Sequence, residues 1–314
     1  MHSVVNKQLS KIKNKKVFFE PLGGNNGDTL IEMGAKTVLE KNGIQLVKTP
    51  TEAEIIVING SGDLSYVHDD QPIAETRQSR LITKYHQTPV ILLPSSCTVA
   101  NAQKLSTPLK KRSAETILIA RDNYSFENLK KLSSPQVKIY CDHDMAFGLL
   151  GSSWLENKKT ESTTSENLLV IERFDAEAAT VAPAIYSKTD WFRKVLPAGM
   201  KSALKHIFLN KIQESTPFVK ESTKLVADYI PHIAYNNIQA ADISLPRNYT
   251  FEEFIASEQR ASIVISTRLH GCILAALLGK PFIAVQFKGG LKLKGVFEKS
   301  LQSFPNAYLH IKES

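Results

Sequence analysis

The stretch from Ser262 to Gln286 constrains this chain more than any other. Ser262–Ser266 is a short, apolar, β-branched run, which predicts a buried strand. Leu269–Leu278 is apolar and rich in Ala and Leu, and Gly279 and Pro281 close it as a helix stop. Phe282–Val285 predicts a second buried strand. Two buried strands around a helix form a βαβ unit, and such a unit requires a parallel sheet. Thr267–Gly271 lies where the first strand hands over to the helix. In open α/β sheets ligands bind at that carboxyl end, and a helix N-terminus offers N–H groups to an anion. Arg268 and His270 therefore stand where an acidic substrate would be held.

The same grammar repeats upstream. Val17–Glu20 predicts a strand, Pro21–Asp28 a Gly/Asn-rich turn, Thr29–Lys41 an amphipathic helix and Ile44–Val47 a second strand. The turn lets backbone approach a ligand closely, although it matches neither GxGxxG nor the P-loop pattern. Asp28 has two readings, a helix N-cap or a ligand-facing carboxylate. Further strands are predicted at Glu54–Ile58, Thr88–Leu93, Ile117–Ala120 and Val137–Tyr140. Polar residues recur at the strand ends: Asn25, Asp28, Ser95, Ser96, Arg121, Asp142 and His143. That layout predicts a doubly wound sheet with one functional rim. Arg121 and Asp122, adjacent in sequence, are expected to form a local salt bridge.

Residues 157–167 are polar and lack large apolar side chains, so they are expected to link two domains, 1–156 and 168–314. Leu168–Ile171 opens the second half as a strand ending in Glu172 and Arg173, which repeats the strand-end arginine. Helices are expected over 216–234, broken at Pro231, and over 251–260. Lys188–Gln213 is basic, with Met200, Leu204, Ile207 and Phe208 on one helical face. It reads either as a surface that lies on an anionic membrane or as a helix packed on its own domain with a solvated basic face.

The 314 residues are 42% hydrophobic with a net charge of +8, enough for a sizeable core and a bias toward acidic partners. No apolar run approaches a membrane span, and the basic N-terminus lacks an apolar signal core. A cytoplasmic protein is expected, with peripheral association at the inner face of the plasma membrane if the basic segment binds lipid. The three cysteines are far apart, suggesting neither a disulfide framework nor a metal site. No nucleic-acid-binding motif is present.

Taken in order, these motifs resemble the polysaccharide pyruvyl transferase family. Asn25–Asp28 resembles its N-terminal Gly-Asn-x-Gly-Asp signature. Gly60–Leu64, Leu93–Ser96, Arg121–Asp122 and Asp144–Phe147 follow in the family's order, and Ser266–Gly271 with Gly279–Pro281 resembles its C-terminal signature. The likeness spans about residues 17 to 288, and Val170–Asp175 with Thr189–Trp191 looks most like exopolysaccharide or biofilm-matrix members. Gln286–Gly290 departs from the family's more usual Asp/Asn-Tyr-x-Lys run while retaining Lys288.

The resemblance implies two Rossmann-like α/β domains facing across a cleft, similar to GT-B glycosyltransferases. It implies transfer of the pyruvyl group of phosphoenolpyruvate to a sugar of an exopolysaccharide precursor, lipid-linked or nucleotide-linked, as a pyruvate ketal. Neither metal nor cofactor is implied. Such a donor carries phosphate and carboxylate, so Arg268, Arg173 and Lys288 are the expected donor ligands. His270 is the expected general acid, and Asn25, Gly27, Asp28 and Asp142 are expected on the acceptor side. Two alternatives stay open: a glycosyltransferase using a nucleotide sugar, and a non-catalytic scaffold that binds polysaccharide.

Overall fold

The computed structural model describes residues 1–62, 64, 76–161, 166–173, 216–244 and 249–313. The basic segment 188–213 lies outside them. The chain divides into two compact units, one of Met1–Trp154 with Lys294–Ser300, the other of Leu155–Leu293 with Leu301–Ser314. Each is built on its own parallel sheet.

The first unit runs α1 (Ser3–Ser10), β1 (Lys16–Glu20), α2 (Asn26–Lys41), β2 (Gln45–Leu46), β3 (Ile55–Ile58), α3 (Arg77–Lys84), β4 (Val90–Ser95), α4 (Val99–Lys110), β5 (Thr116–Ala120), α5 (Asn123–Lys130) and β6 (Val137–Cys141). A 3-10 turn, Met145–Leu149, follows. The sheet order is β2-β1-β3-β4-β5-β6, and every pair is parallel. Alternate residues feed opposite faces: Val57, Ile91, Leu93, Ile117 and Ile119 pack with α1 and α2, while Ile56, Ile58, Leu92 and Leu118 pack with Leu105 and Leu129. Burial on both faces explains why these strands read as continuous apolar runs. Gly34 lets α2 approach the 3-10 turn: a Cβ there would sit 1.9 Å from the Met145 carbonyl oxygen.

The second unit runs from β7 (Asn167–Ile171) through α7 (Pro217–Tyr229), β8 (Asn237–Ala240), α8 (Phe251–Gln259), β9 (Ala261–Ser266), α9 (Leu269–Leu278) and β10 (Phe282–Phe287) to β11 (Ala307–Lys312), after α6 (Ser153–Thr160); α10 (Lys292–Val296) begins in this unit and ends in the first. Its sheet order is β11-β10-β9-β7-β8, again all parallel. Every residue of α9 is buried, which accounts for a helix without a polar face. Gly279 ends it in the left-handed region at φ 73°. The protein is thus an α/β protein of two Rossmann-like units.

Two expectations need correction. The polar stretch 157–167 is not all linker: residues 157–160 complete α6, whose surface pairs Lys158 with Glu161 and Lys159 with Glu156. Polar residues on an exposed helix face look the same as a linker in composition. The boundary falls at Trp154/Leu155, and 294–300 joins the first unit.

Candidate active site

The carboxyl edge of the second sheet gathers Asp242 after β8, Glu172 and Arg173 after β7, Thr267, Arg268 and His270 after β9, and Lys288 after β10. The β7 and β9 corners are tied together. Thr267 N–H donates to the Ile171 carbonyl at 3.0 Å, and Arg173 N–H donates to Thr267 Oγ1 at 2.9 Å. Ser266 Oγ accepts from Arg268 N–H at 3.0 Å and reaches the Arg268 carbonyl at 2.8 Å, folding the turn into α9. Gly271 is required here, since a Cβ would lie 2.6 Å from Ser266 Oγ and 2.8 Å from Ile171 Cδ1.

Arg268 occupies the N-cap position of α9, and His270 lies in the helix's first turn, nine-tenths buried. The Arg268 guanidinium meets Asp242 side-on, Nε to Oδ1 at 3.0 Å and Nη2 to Oδ2 at 2.6 Å. Both partners are buried, at 6% and 1% exposure. Tyr249 is buried too, and its phenol is pushed up to about 12, by burial first and then by the Asp242 charge. Glu172 accepts a hydrogen bond from Thr216 Oγ1 at 2.8 Å. Its carboxyl is raised, chiefly by burial, with that bond opposing. Lys288 is exposed and pairs with Glu313 beyond β11.

On the first sheet, Asn25 and Asp28 form a reciprocal cap on α2. Asn25 Oδ1 accepts from Gly27 N–H at 2.8 Å and Asp28 N–H at 3.3 Å, and Asp28 Oδ2 accepts from Asn25 N–H at 2.9 Å. The cap reading of Asp28 therefore holds. Its second oxygen has no hydrogen bond among the described residues. Gly24, at φ 144°, makes room for the arrangement: a Cβ there would fall 2.1 Å from Asp28 Oδ2.

Asp142 is not brought to this loop. It follows β6, four strands from β1, or about 19 Å at the usual strand spacing. Both of its oxygens are engaged, Oδ2 by Val5 N–H at 2.8 Å and Oδ1 by His143 N–H at 2.9 Å. It thereby caps α1, whose own N-cap residue, His2, supplies no side-chain bond.

Arg121 also departs from expectation. It is fully buried and pairs with Asp144, Nη1 to Oδ2 at 2.7 Å, not with its neighbour Asp122. Asp122 instead caps α5, its Oδ1 accepting from Ser125 N–H at 2.7 Å. Successive residues leaving a strand point to opposite sides, so Arg121 and Asp122 cannot face each other.

Sequence reasoning missed Asp242 and Asp144. Asp144 lay in a noted motif without a role. Asp242 follows β8, whose sequence Asn237–Ala240 has no β-branched run, so no strand end was marked there.

A sequence model of the family described as polysaccharide pyruvyl transferase matches residues 8–287. The chain belongs to the polysaccharide pyruvyl transferase family. No curated protein sequence matches it significantly. Among solved structures it is similar to the crystal structure of an uncharacterised protein from Klebsiella pneumoniae subsp. pneumoniae NTUH-K2044. That likeness has a TM-score of 0.60 at 19% identity, covering 99% of each chain. It bears on the fold alone. Among the described residues of this family member, no group of three or more His, Cys, Asp or Glu is placed to hold a metal, and no helix is long and apolar enough to cross a membrane.

Proposed function

We propose that the protein transfers the pyruvyl group of phosphoenolpyruvate to a saccharide of an exopolysaccharide precursor, forming a pyruvate ketal and releasing phosphate. The observation that carries this is the second unit's rim, where Arg173, Arg268 and His270 meet at two adjoining strand ends beside a helix N-terminus, in a chain of this family. A donor with phosphate and carboxylate suits paired guanidinium groups and helix N–H groups.

In this reading His270 protonates the donor's methylene carbon, making it a methyl group and leaving a cationic C2. One sugar hydroxyl adds to C2. Departure of phosphate, taking the C–O bond's electrons, and addition of a second hydroxyl complete the ketal. Of the two hydroxyl protons lost, one balances that given to the methylene and the other leaves with phosphate. Arg173 and Arg268 hold the donor, and Lys288 reaches it only by leaving Glu313. The second oxygen of Asp28 orients an acceptor hydroxyl, and Asn25 and Gly27 hold Asp28 in place through the cap. The capping of α1 by Asp142 argues against an acceptor role for that residue. The acceptor is lipid-linked or nucleotide-linked, which sets the reaction in the cytoplasm, at the membrane's inner face in the lipid-linked case.

The test is incubation with phosphoenolpyruvate and candidate saccharides while phosphate release is assayed. Phosphate formed only with an acceptor supports the proposal. No release with any acceptor, joined with no calorimetric binding of phosphoenolpyruvate, refutes it.

A further inference from the structure

Both sheets reverse direction at the same place in their winding. From β1 the chain goes out to β2 on one side and returns to β3 on the other, and from β7 it goes to β8 and returns to β9. Ligands of open α/β sheets sit in the crevice that such a reversal opens at the strands' carboxyl ends. In the second unit that crevice, β7 against β9, is where Arg173, Arg268 and His270 gather. In the first unit it lies between β1 and β3, so the Asn25–Asp28 cap is one wall and the residues after Ile58 are the other.

Asn59 heads that second wall. Its N–H donates to the Glu20 carbonyl at 3.1 Å, carrying the parallel ladder one residue past β3, and its own carbonyl accepts from Gln78 Nε2 at 3.0 Å. The Asn59 backbone is thus held on both sides. Val57 packs on the α2 face of the sheet, and Ile56 and Ile58 on the opposite face. Alternation therefore sends the Asn59 side chain to the α2 face, where α2 begins at its Asp28 cap. Gly60 then turns the chain against β4, since a Cβ there would lie 2.3 Å from the Pro94 carbonyl oxygen. Asn59 is 1% exposed, and its Oδ1 has no hydrogen-bond partner among the described residues. A buried amide oxygen without a partner is destabilising and uncommon, unless something outside the chain supplies the donor.

We propose that Asn59 binds the acceptor saccharide in the β1/β3 crevice, its Oδ1 accepting from one hydroxyl of a diol while the second oxygen of Asp28 accepts from the other. This rests on the proposed function and deepens it. A ketal joins two hydroxyls of the acceptor to one carbon, so both must be presented together. Asp28 and Asn59 supply two acceptors of different character. Asp28 offers a carboxylate, whereas the Asn59 amide neither gains nor loses a proton and so contributes orientation alone. The crevice therefore takes a saccharide with two free hydroxyls near each other.

Two variants test it. Asn59→Leu keeps the shape and removes the amide, and Asn59→Ala removes it with less steric demand. Each is assayed for phosphate release from phosphoenolpyruvate against a panel of methyl, nucleotide-linked and lipid-linked hexoses. Calorimetry of phosphoenolpyruvate alone and a thermal melt accompany each assay. Loss of one hydrogen bond and of the orientation it fixes should lower kcat/KM for the acceptor about tenfold or more, with donor affinity within about twofold of native. The melt separates this from a structural role. An oxygen that only a saccharide satisfies destabilises the free protein, so Asn59→Leu should melt at or above the native temperature. An oxygen satisfied by a trapped water would give the opposite pattern, a lower melt with native acceptor kinetics. That pattern, native acceptor kinetics in either folded variant, or a loss of donor affinity equal to the acceptor loss would overturn the proposal. Asn59→Ala carries the test if Asn59→Leu does not fold. If the native protein neither binds phosphoenolpyruvate nor releases phosphate with any hexose, the functional reading falls and this proposal with it. Native turnover with an indifferent Asn59, or donor binding without turnover of any hexose, sinks this proposal alone.

Discussion

Glu258 closes α8 with its side chain fully buried and neither carboxylate oxygen hydrogen-bonded among the described residues. Its nearest ionic neighbour in effect is Lys280, whose Nζ instead donates to the Gln259 carbonyl at 2.8 Å. Burial pushes the Glu258 carboxyl well above its ordinary 4.5, with Lys280 opposing only in part. The sign of the linkage follows. Below pH 4.5 the group is protonated folded and unfolded alike, and its contribution is fully present. Above that pH the unfolded chain releases the proton while the folded one keeps it. Stability then falls by about 1.4 kcal/mol per pH unit until the folded pKa is reached.

Glu258→Gln removes that slope. Its amide is equally unsatisfied, a penalty of about 1–3 kcal/mol that does not vary with pH. The readout is therefore the pH dependence of the difference between variant and native protein, not its offset. Urea transitions followed by circular dichroism at pH 5, 6 and 7 should show the variant gaining on the native protein as the pH rises, by at most about 1.4 kcal/mol per unit. Glu258→Leu, which also removes the unsatisfied polar group, should lie above Glu258→Gln throughout. Parallel stability curves for native protein and Glu258→Gln would show that Glu258 is ionised or solvated in the fold and refute the argument.

Other outcomes are expected. His270→Ala should abolish transfer while leaving the melting temperature near native, and an active, folded variant would remove the general-acid assignment. Asn25→Ala should cost about 1 kcal/mol in urea denaturation through loss of the α2 cap, a change absent if the cap is idle. Removing one partner of the buried Arg121–Asp144 pair, as in Asp144→Ala, should destabilise by about 3–5 kcal/mol, whereas a loss under about 1 kcal/mol would mean the pair is solvated. If the basic segment binds lipid, replacing Lys201, Lys205 and Lys211 should release the protein from anionic vesicles in co-sedimentation, and unchanged co-sedimentation would discard that role.

The sequence by itself determined most of the strands and the strand-end residues of the rim, but neither β8 nor α6. Apolar β-branched runs gave parallel strands because both faces of each sheet are covered, and Leu269–Leu278 with its Gly279 stop matches α9 in both bounds. Arg173, Arg268 and His270 were legible as strand-end residues, since a strand's direction and end are local properties of the chain. Partners were not legible. Arg268 meets a residue 26 positions earlier, and Asp142 caps a helix 137 positions away. Arg121 passes over its neighbour for Asp144, and Glu258 is buried although its helix begins with exposed carboxylates. Hydrophobic periodicity reports which way a side chain points from its own element. Which element stands opposite depends on strand order, and only the tertiary structure decides that.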